Sequence, residues 1–323
     1  MNHCLVTGAT GLIGFYLCKQ LLQLGYGVTA ISRTHSQRLA TFSLNKDFTL
    51  LVGNLKDENF TQTIFDTHKM DVIFHLAVER YSPETNEQKD LTIQNQAPFQ
   101  TNFLGAINLL QSACNAGVPY WVQSSSMNVY NFENPNYLPV DENHPTAPGN
   151  PDGLSMLLAE QMCQYFHRSA GLRCVILRYP GVYGPGKNTG VVAKFIQICL
   201  EDQNEPLLAF KNRTSDFVYV QDVVDANLLT LQNFEELKGK IFNIGSGVET
   251  SVLELANMIK ELTKANVQIH EEAVLKPRRF YFDICKAQKL MNYKPRSVRE
   301  GLKEFIAELQ MENKRSTLVD SCK

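Results

Sequence analysis

The chain opens on Val6-Thr7-Gly8-Ala9-Thr10-Gly11-Leu12-Ile13-Gly14, with glycines recurring at three-residue spacing. A strand-like run, His3–Thr7, comes directly before the turn, and a helix-period segment, Ile13–Leu24, directly after it. Gly8 permits a tight turn, Gly11 lets backbone approach a phosphate with no Cβ in the way, and Gly14 lets the helix pack closely on the strand. The helix N-terminus then offers free N–H groups and the positive end of its dipole to an anion. In this strand–turn–helix context Gly8, Thr10, Gly11, Leu12, Ile13 and Gly14 read as the cradle of a dinucleotide pyrophosphate. A merely structural glycine turn is the competing reading.

The next segments continue an alternation of apolar runs and helical periods. Gly27–Ser32, Thr49–Val52, Val72–Leu76, Tyr120–Ser124 and Cys174–Arg178 read as strands. Helices are expected over Ala97–Ala116, stopped by Gly117, and over Leu154–Ser169. Such alternation predicts an α/β fold, a doubly wound parallel sheet with crossover helices. A Pro/Gly-rich loop, Tyr179–Gly186, then leads into a less regular half, where Val191–Leu200, Ser251–Thr263 and Val298–Gln310 look helical. The expected division is a dinucleotide-binding domain over 1–178, with 213–247 returning to it. A smaller α/β substrate-binding domain over the strand carboxyl ends takes 179–212 and 248–312, and 313–323 is a frayed polar tail.

A chain of 323 residues, 44% hydrophobic and with formal net charge −2, has core enough for both parts and no basic excess for nucleic acid. Its apolar runs fall far short of the roughly 20 residues that cross a bilayer. The eight cysteines are scattered without C-x-x-C spacing, so neither a metal site nor a disulfide framework is expected. With the first strand starting at His3 and no secretory signal expected before it, a reducing cytoplasm fits best.

The end of the second strand bears on which dinucleotide is held. An NAD site usually places Asp or Glu there to accept from the ribose hydroxyls. Here Ser32 is followed by Arg33, with Arg38 nearby, and a guanidinium can pair with a 2′-phosphate. This favours NADP over NAD, against the alternative of a solvated Arg at a strand end.

Further blocks follow in order: Gly53-Asn54-Leu55, His75-Leu76-Ala77, Asn102 with Gly105 and Asn108-Leu109-Leu110, and Ser124-Ser125-Ser126 with Val129-Tyr130. Arg178-Tyr179-Pro180-Gly181-Val182-Tyr183-Gly184-Pro185-Gly186, Phe217–Val223, Asn243–Gly247 and Asp283–Ala287 complete them. Together with the glycine turn they resemble the extended short-chain dehydrogenase/reductases, the Rossmann-fold group that contains nucleotide-sugar epimerases and dehydratases. The resemblance covers nearly the whole chain. It implies that Asn54, Leu55, Leu76, Ala77, Val78, Asn102, Ser124, Tyr179, Pro180, Gly181 and Val182 lie along the cofactor, and that Ser126 is catalytic.

It also exposes a departure. The family carries Tyr-x-x-x-Lys at the start of the helix after the fifth strand, followed by a Glu. This chain reads Asp152-Gly153-Leu154-Ser155-Met156-Leu157-Leu158-Ala159-Glu160, and Gly153, Ser155, Ala159 and Glu160 fix the register. Asp152 therefore stands at the Tyr position and Met156 at the Lys position. A tyrosine needs a neighbouring cation to act as a base at neutral pH, and methionine has neither charge nor N–H donor. Asp152 is a possible base but shorter than Tyr, reaching a substrate through a water. His75, Glu79, Tyr130 and His144 are other possible proton sources, His75 being the better packing residue.

On the substrate side Glu79 and Arg80 are expected to face the nicotinamide, and Met127-Asn128 replaces the acidic residues that dehydratases carry after the catalytic Ser. Ser215 holds the place of a phosphate-pairing Arg, leaving Arg213, Arg278 and Arg279 as candidates for a diphosphate. A nucleotide sugar is the leading ligand class. Two functions remain open: an enzyme doing redox, epimerase or lyase chemistry through Ser126 and a substitute such as Asp152, and a catalytically inactive dinucleotide-binding scaffold. Family members pair through the helices near Ala97–Ala116 and Leu154–Ser169, so a homodimer is expected.

Overall fold

A computed structural model of the chain describes residues 2–66, 69–80, 96–201, 205–210, 212–273 and 276–320. Six strands fall in the first part: β1 (His3–Thr7), β2 (Gly27–Ser32), β3 (Phe48–Val52), β4 (Val72–His75), β5 (Tyr120–Ser126) and β6 (Arg173–Tyr179). Shorter ones follow: β7 (Gly181–Tyr183), β8 (Leu207–Phe210), β9 (Thr214–Ser215), β10 (Phe217–Tyr219), β11 (Ile241–Asn243), β12 (Thr250–Ser251) and β13 (Ile269–Glu272). The helices of the first part are α1 (Leu12–Gln23), α2 (Gln37–Ala40), α3 (Glu58–Thr63), α4 (Gln96–Pro98), α5 (Gly105–Asn115) and α6 (Pro151–Ser169). The remaining ones are α7 (Val191–Leu200), α8 (Val220–Gln232), α9 (Phe234–Leu237), α10 (Val252–Thr263), α11 (Cys285–Met291) and α12 (Val298–Asp320).

The main sheet has the order β11-β6-β5-β4-β1-β2-β3, every pairing parallel. Parallel strands are buried on both faces, and alternate residues of β1 feed two separate apolar layers. Cys4 and Val6 pack with Leu17 and Leu21 of α1, whereas Leu5 packs in the layer of Leu109, Leu110, Trp121 and Cys163. The chain reverses its direction of travel across the sheet at β1. The crevice that such a reversal opens lies at the carboxyl ends of β1 and β4.

Where local structure departs from the sequence expectation, a side-chain bond accounts for most of it. Ala97–Ala116 is not one regular helix: Phe99–Leu104 is a π-helical stretch between α4 and α5. That wider turn holds Thr101 and Asn102, both of which bond to Glu79. α6 begins at Pro151 rather than Leu154, because the Asn150 side chain accepts from Gly153 N at 2.8 Å and Pro151 takes the first helical position. This puts Asp152 in the first turn. Helix α12 runs on to Asp320, past Gln310, where the sequence reading ends it, and through most of the 313–323 stretch read as a frayed tail. Helix α8, read only as a family block in sequence, is a full element packed against α1.

Candidate active site

The glycine turn is closed by backbone. Gly8 has φ +66°, and a Cβ there would lie 2.5 Å from the Leu76 carbonyl oxygen; one on Gly14 would lie 2.3 Å from the Gly8 oxygen. Gly11 is the N-cap of α1 and no described side chain caps the helix, so among the described residues its first N–H groups are left unclaimed by side chains at the crevice. The Thr7 hydroxyl ties β1 to β4, accepting from Leu76 N and Ala77 N at 3.1 Å each. A cleft of about 160 Å³ results. Gly8, Thr10 and Gly11 line it from the turn, Ser32 from the end of β2 and Arg33 just beyond it, Asn54 and Leu55 from beyond β3, and Leu76, Ala77 and Val78 from beyond β4. These are residues singled out in sequence. Ile31, Gly53 and Thr101 also line it; Thr101 gave no signal beyond its adjacency to Asn102.

Further along the crevice, Ser126 ends β5 in register with Tyr179 of β6. Its hydroxyl accepts from Asn128 N at 3.2 Å, leaving its own proton to donate. The Asn128 carbonyl packs so closely on Gly153 that a Cβ there would lie 1.9 Å from it. Ser126 and Asp152 therefore belong to two segments in direct contact. Asp152 is buried at the N-terminus of α6, where the dipole favours a carboxylate. Met156, one turn on, lies in the apolar core with no charge to offer. The Met127 side chain packs against the same core. Asn102 fastens the loop after β4: its Oδ1 accepts from Glu79 N at 2.7 Å, and its Nδ2 donates to Glu79 O and to Ser155 Oγ, both at 3.0 Å.

Three of the four other proton sources are built into the fold. The Thr7 hydroxyl, already accepting twice, donates to His75 Nδ1 at 3.0 Å, while burial against Trp121 pushes the imidazole down to about 4. His144 uses both ring nitrogens, with Asn136 N at 3.0 Å and Pro145 O at 2.9 Å. Burial pushes the Tyr130 hydroxyl up to about 12, and it is occupied by Arg178, Asn243 and the Asp141 carbonyl. Ser124 Oγ and the Tyr179 hydroxyl likewise serve packing, bonded to His75 O and to Asn227. At the β6–β7 junction, Gly181 N donates to Asp216 O and Val182 O accepts from Lys187 Nζ, while the half-buried Pro180 accepts from Val182 N at its carbonyl. Lys187 was missed in sequence. Burial first, and the Arg80 charge second, push its amine down to about 8.

The arginines are arranged differently from the expectation. Arg33 pairs with Glu79 at 2.6 Å instead of standing open for a 2′-phosphate. Arg38 lies over the Phe15 ring, 4.0 Å from its centroid, and donates to Pro185 O, away from the cleft lining. Glu79 thus meets Arg33 beside the glycine turn, and Arg80 is exposed. In the other half, Arg213 and Arg278 are bridged through their backbones, and each keeps a buried Nε with no hydrogen-bond partner among the described residues. Arg278 also reaches Glu133 at 3.2 Å, while Arg279 is spent on a two-point pair with Glu249. Among the described residues no three His, Cys, Asp or Glu side chains gather as a metal site, and no helix is long and apolar enough to cross a membrane.

A parallel sheet with its crevice at the strand reversal, and a glycine turn closing an uncapped helix there, define a Rossmann-type fold. The model of the NAD dependent epimerase/dehydratase family matches residues 4–245. A relative in Methanocaldococcus jannaschii, provisionally named a UDP-glucose 4-epimerase, is 34% identical over 96% of this chain and 99% of its own. The crystal structure of Thermotoga maritima UDP-glucose 4-epimerase with UDP-glucose superposes with a TM-score of 0.83 at 29% identity, covering 96% of this chain and 99% of that one. Bacillus cereus UDP-glucuronic acid 4-epimerase, solved with UDP-glucuronic acid and NAD, gives 0.81 at 25% identity, over 95% and 99% of the two chains. The chain belongs to the NAD dependent epimerase/dehydratase family, within the extended short-chain dehydrogenase/reductases.

Proposed function

We propose that this protein holds NAD along the glycine turn and a nucleotide sugar over the carboxyl ends of β5 and β6, and acts on that sugar by epimerase-type redox chemistry through an altered acid–base set. The observation that carries the proposal is the uncapped start of α1 opening into the crevice behind Gly8 and Gly11. Bound there, the dinucleotide supplies reversible hydride transfer. Ser126 donates a hydrogen bond to the reacting sugar oxygen, and Asp152 takes up through one water the proton that this hydroxyl releases, its reach being shorter than a tyrosine's. The segments 179–212 and 248–312 form the sugar-nucleotide side. There Arg278, with Arg213 bridged to it from the adjoining segment, receives the diphosphate through Nε groups that have no hydrogen-bond partner among the described residues.

NAD rather than NADP is the cofactor of this reading, since the NADP expectation rested on Arg33 and Arg38 and both are engaged elsewhere. The protein works in the cytoplasm as a homodimer. The exposed Leu104, Leu154 and Tyr165 near and on α5 and α6 supply the apolar contact for a four-helix pairing. A monomer by light scattering at micromolar concentration refutes the dimer.

A second reading, a dinucleotide-binding scaffold without turnover, draws on Met156, which puts an apolar side chain in the core where relatives have a cation. Calorimetry with NAD and NADP, followed by NMR of UDP-glucose and UDP-glucuronic acid incubated with the protein, separates the two. Conversion that falls about 100-fold in Ser126→Ala and in Asp152→Asn supports the enzyme. NAD binding with no conversion of these or other nucleotide sugars selects the scaffold, and binding of neither dinucleotide ends both readings.

A further inference from the structure

Glu79 is anchored before Arg33 reaches it. Its backbone N–H donates to Asn102 Oδ1 at 2.7 Å and its carbonyl accepts from Asn102 Nδ2 at 3.0 Å. The buried Thr101 hydroxyl donates to its Oε2 at 3.2 Å. Arg33 Nη1 then meets the same oxygen at 2.6 Å, with the two side chains 64% and 26% exposed. Glu79 is thus the fixed partner and Arg33 the one drawn to it.

The sheet order says in which direction Arg33 is drawn. Arg33 follows β2 and Glu79 lies four residues past β4, and β1 sits between those strands. The ion pair therefore spans the carboxyl end of β1, beside the glycine turn, and Arg33, Val78 and Thr101 line one cleft with Gly8 and Gly11. The residue that follows the second strand of such a fold faces the adenosine ribose, and an arginine there accommodates a 2′-phosphate. Here its guanidinium is turned toward the β4 side. Ser32 offers no substitute, since its hydroxyl donates to Thr34 O at 2.7 Å.

We infer that Glu79, from the loop after the fourth strand, sets this protein's dinucleotide preference by occupying Arg33 and so suppressing recognition of a 2′-phosphate. A 2′-phosphate must first take the guanidinium from a carboxylate and then lie near that carboxylate's own negative charge. A 2′-hydroxyl meets neither obstacle. The inference rests on the dinucleotide reading proposed above.

The test is a four-protein cycle on the full chain: wild type, Glu79→Gln, Arg33→Ala and the double variant. Each is titrated with NAD and NADP by calorimetry and read as the ratio of the two Kd values. Glu79→Gln is expected to lower Kd(NADP)/Kd(NAD) at least fivefold. The double variant removes that gain, because the freed guanidinium is what binds the phosphate. Arg33→Ala alone moves the ratio less than twofold, the wild-type guanidinium being already taken. Thr101→Val, which leaves the carboxylate charge but loosens its anchor, is expected to shift the ratio the same way by a smaller factor. An unchanged ratio in Glu79→Gln, or an equal shift with and without Arg33, overturns the role of Glu79 while leaving NAD binding standing. Failure of wild type to bind either dinucleotide overturns the dinucleotide reading and this inference together.

Discussion

Arg178 and Glu160 meet in a two-point ion pair beneath the candidate site, Nε to Oε1 at 2.8 Å and Nη2 to Oε2 at 2.5 Å, with 3% and 0% of the side chains exposed. Neither charge has water to fall back on. The rest of the network satisfies them: Ser125 Oγ donates to Glu160 Oε1, and Arg178 Nη1 donates to the Tyr130 hydroxyl at 2.6 Å. Removing one partner of a buried pair leaves the other uncompensated, which costs about 3–5 kcal/mol, whereas removing both costs less than the sum. Glu160→Gln and Arg178→Met are each expected to lose stability in that range in urea unfolding. The double variant is expected to lose less than the two combined; strict additivity would show that the pair does not act as a unit.

The buried His75 gives the protein a pH-dependent component of stability. Burial lowers its folded value to about 4 from an ordinary 6.5, so between these values the unfolded chain binds the proton and the folded one does not. The stability that neutral His75 contributes is fully present above 6.5 and is lost as pH falls toward 4. At about 1.4 kcal/mol per unit this amounts to roughly 3 kcal/mol over the window. His75→Gln has no such proton. Its unfolding free energy is expected to fall less steeply than wild type's between pH 6.5 and 4, and parallel curves would rule the effect out.

How much of this was readable beforehand differs between backbone and side chains. The glycine turn, the order of strands and the position of Ser126 were legible, because φ above zero at Gly8 and burial of β1 on both faces leave direct marks in residue type. What Arg33 and Arg38 do was not. An arginine after a strand can face a ribose, a carboxylate or a ring, and Glu79 and Phe15 are 46 and 23 residues away from their respective partners. The π-helical stretch at Phe99–Leu104 was hidden for a similar reason, since its composition suits an ordinary helix and the bonds it accommodates run to a different loop.

Gly153 is the contact that holds the two catalytic candidates together. Any Cβ there meets the Asn128 carbonyl at 1.9 Å, and a backbone oxygen cannot swing aside as a flexible side chain could. Gly153→Ala must push the start of α6, with Asp152 on it, away from the turn that follows Ser126. Overpacking of this kind costs about 1–3 kcal/mol. The variant is expected to lose at least that in unfolding free energy, and to lose more of any turnover than of NAD affinity, because the segments pushed apart carry Asp152 and follow Ser126 and neither belongs to the glycine turn. NAD affinity falling as steeply as turnover would mean that the shift spreads through the whole crevice.

Lys187 is kept in a place that costs stability. Its amine is largely buried, it donates a hydrogen bond to Val182 O at 2.6 Å, and Arg80 adds repulsion. With a folded value of about 8 against an ordinary 10.5, the folded chain holds its proton less well than the unfolded one. Below pH 8 both states are charged and the folded state carries the full penalty, which is relieved as pH rises from 8 to 10.5. Lys187→Met removes the charge and fills the same space. It is expected to be more stable than wild type at pH 7, by about 1–3 kcal/mol on the same per-unit scale. That advantage should shrink toward zero near pH 10.5. Paired melts at pH 7 and pH 10 decide it: an equally large gain at both would trace the effect to packing, and a variant less stable at pH 7 would mean that the bond to Val182 outweighs the buried charge.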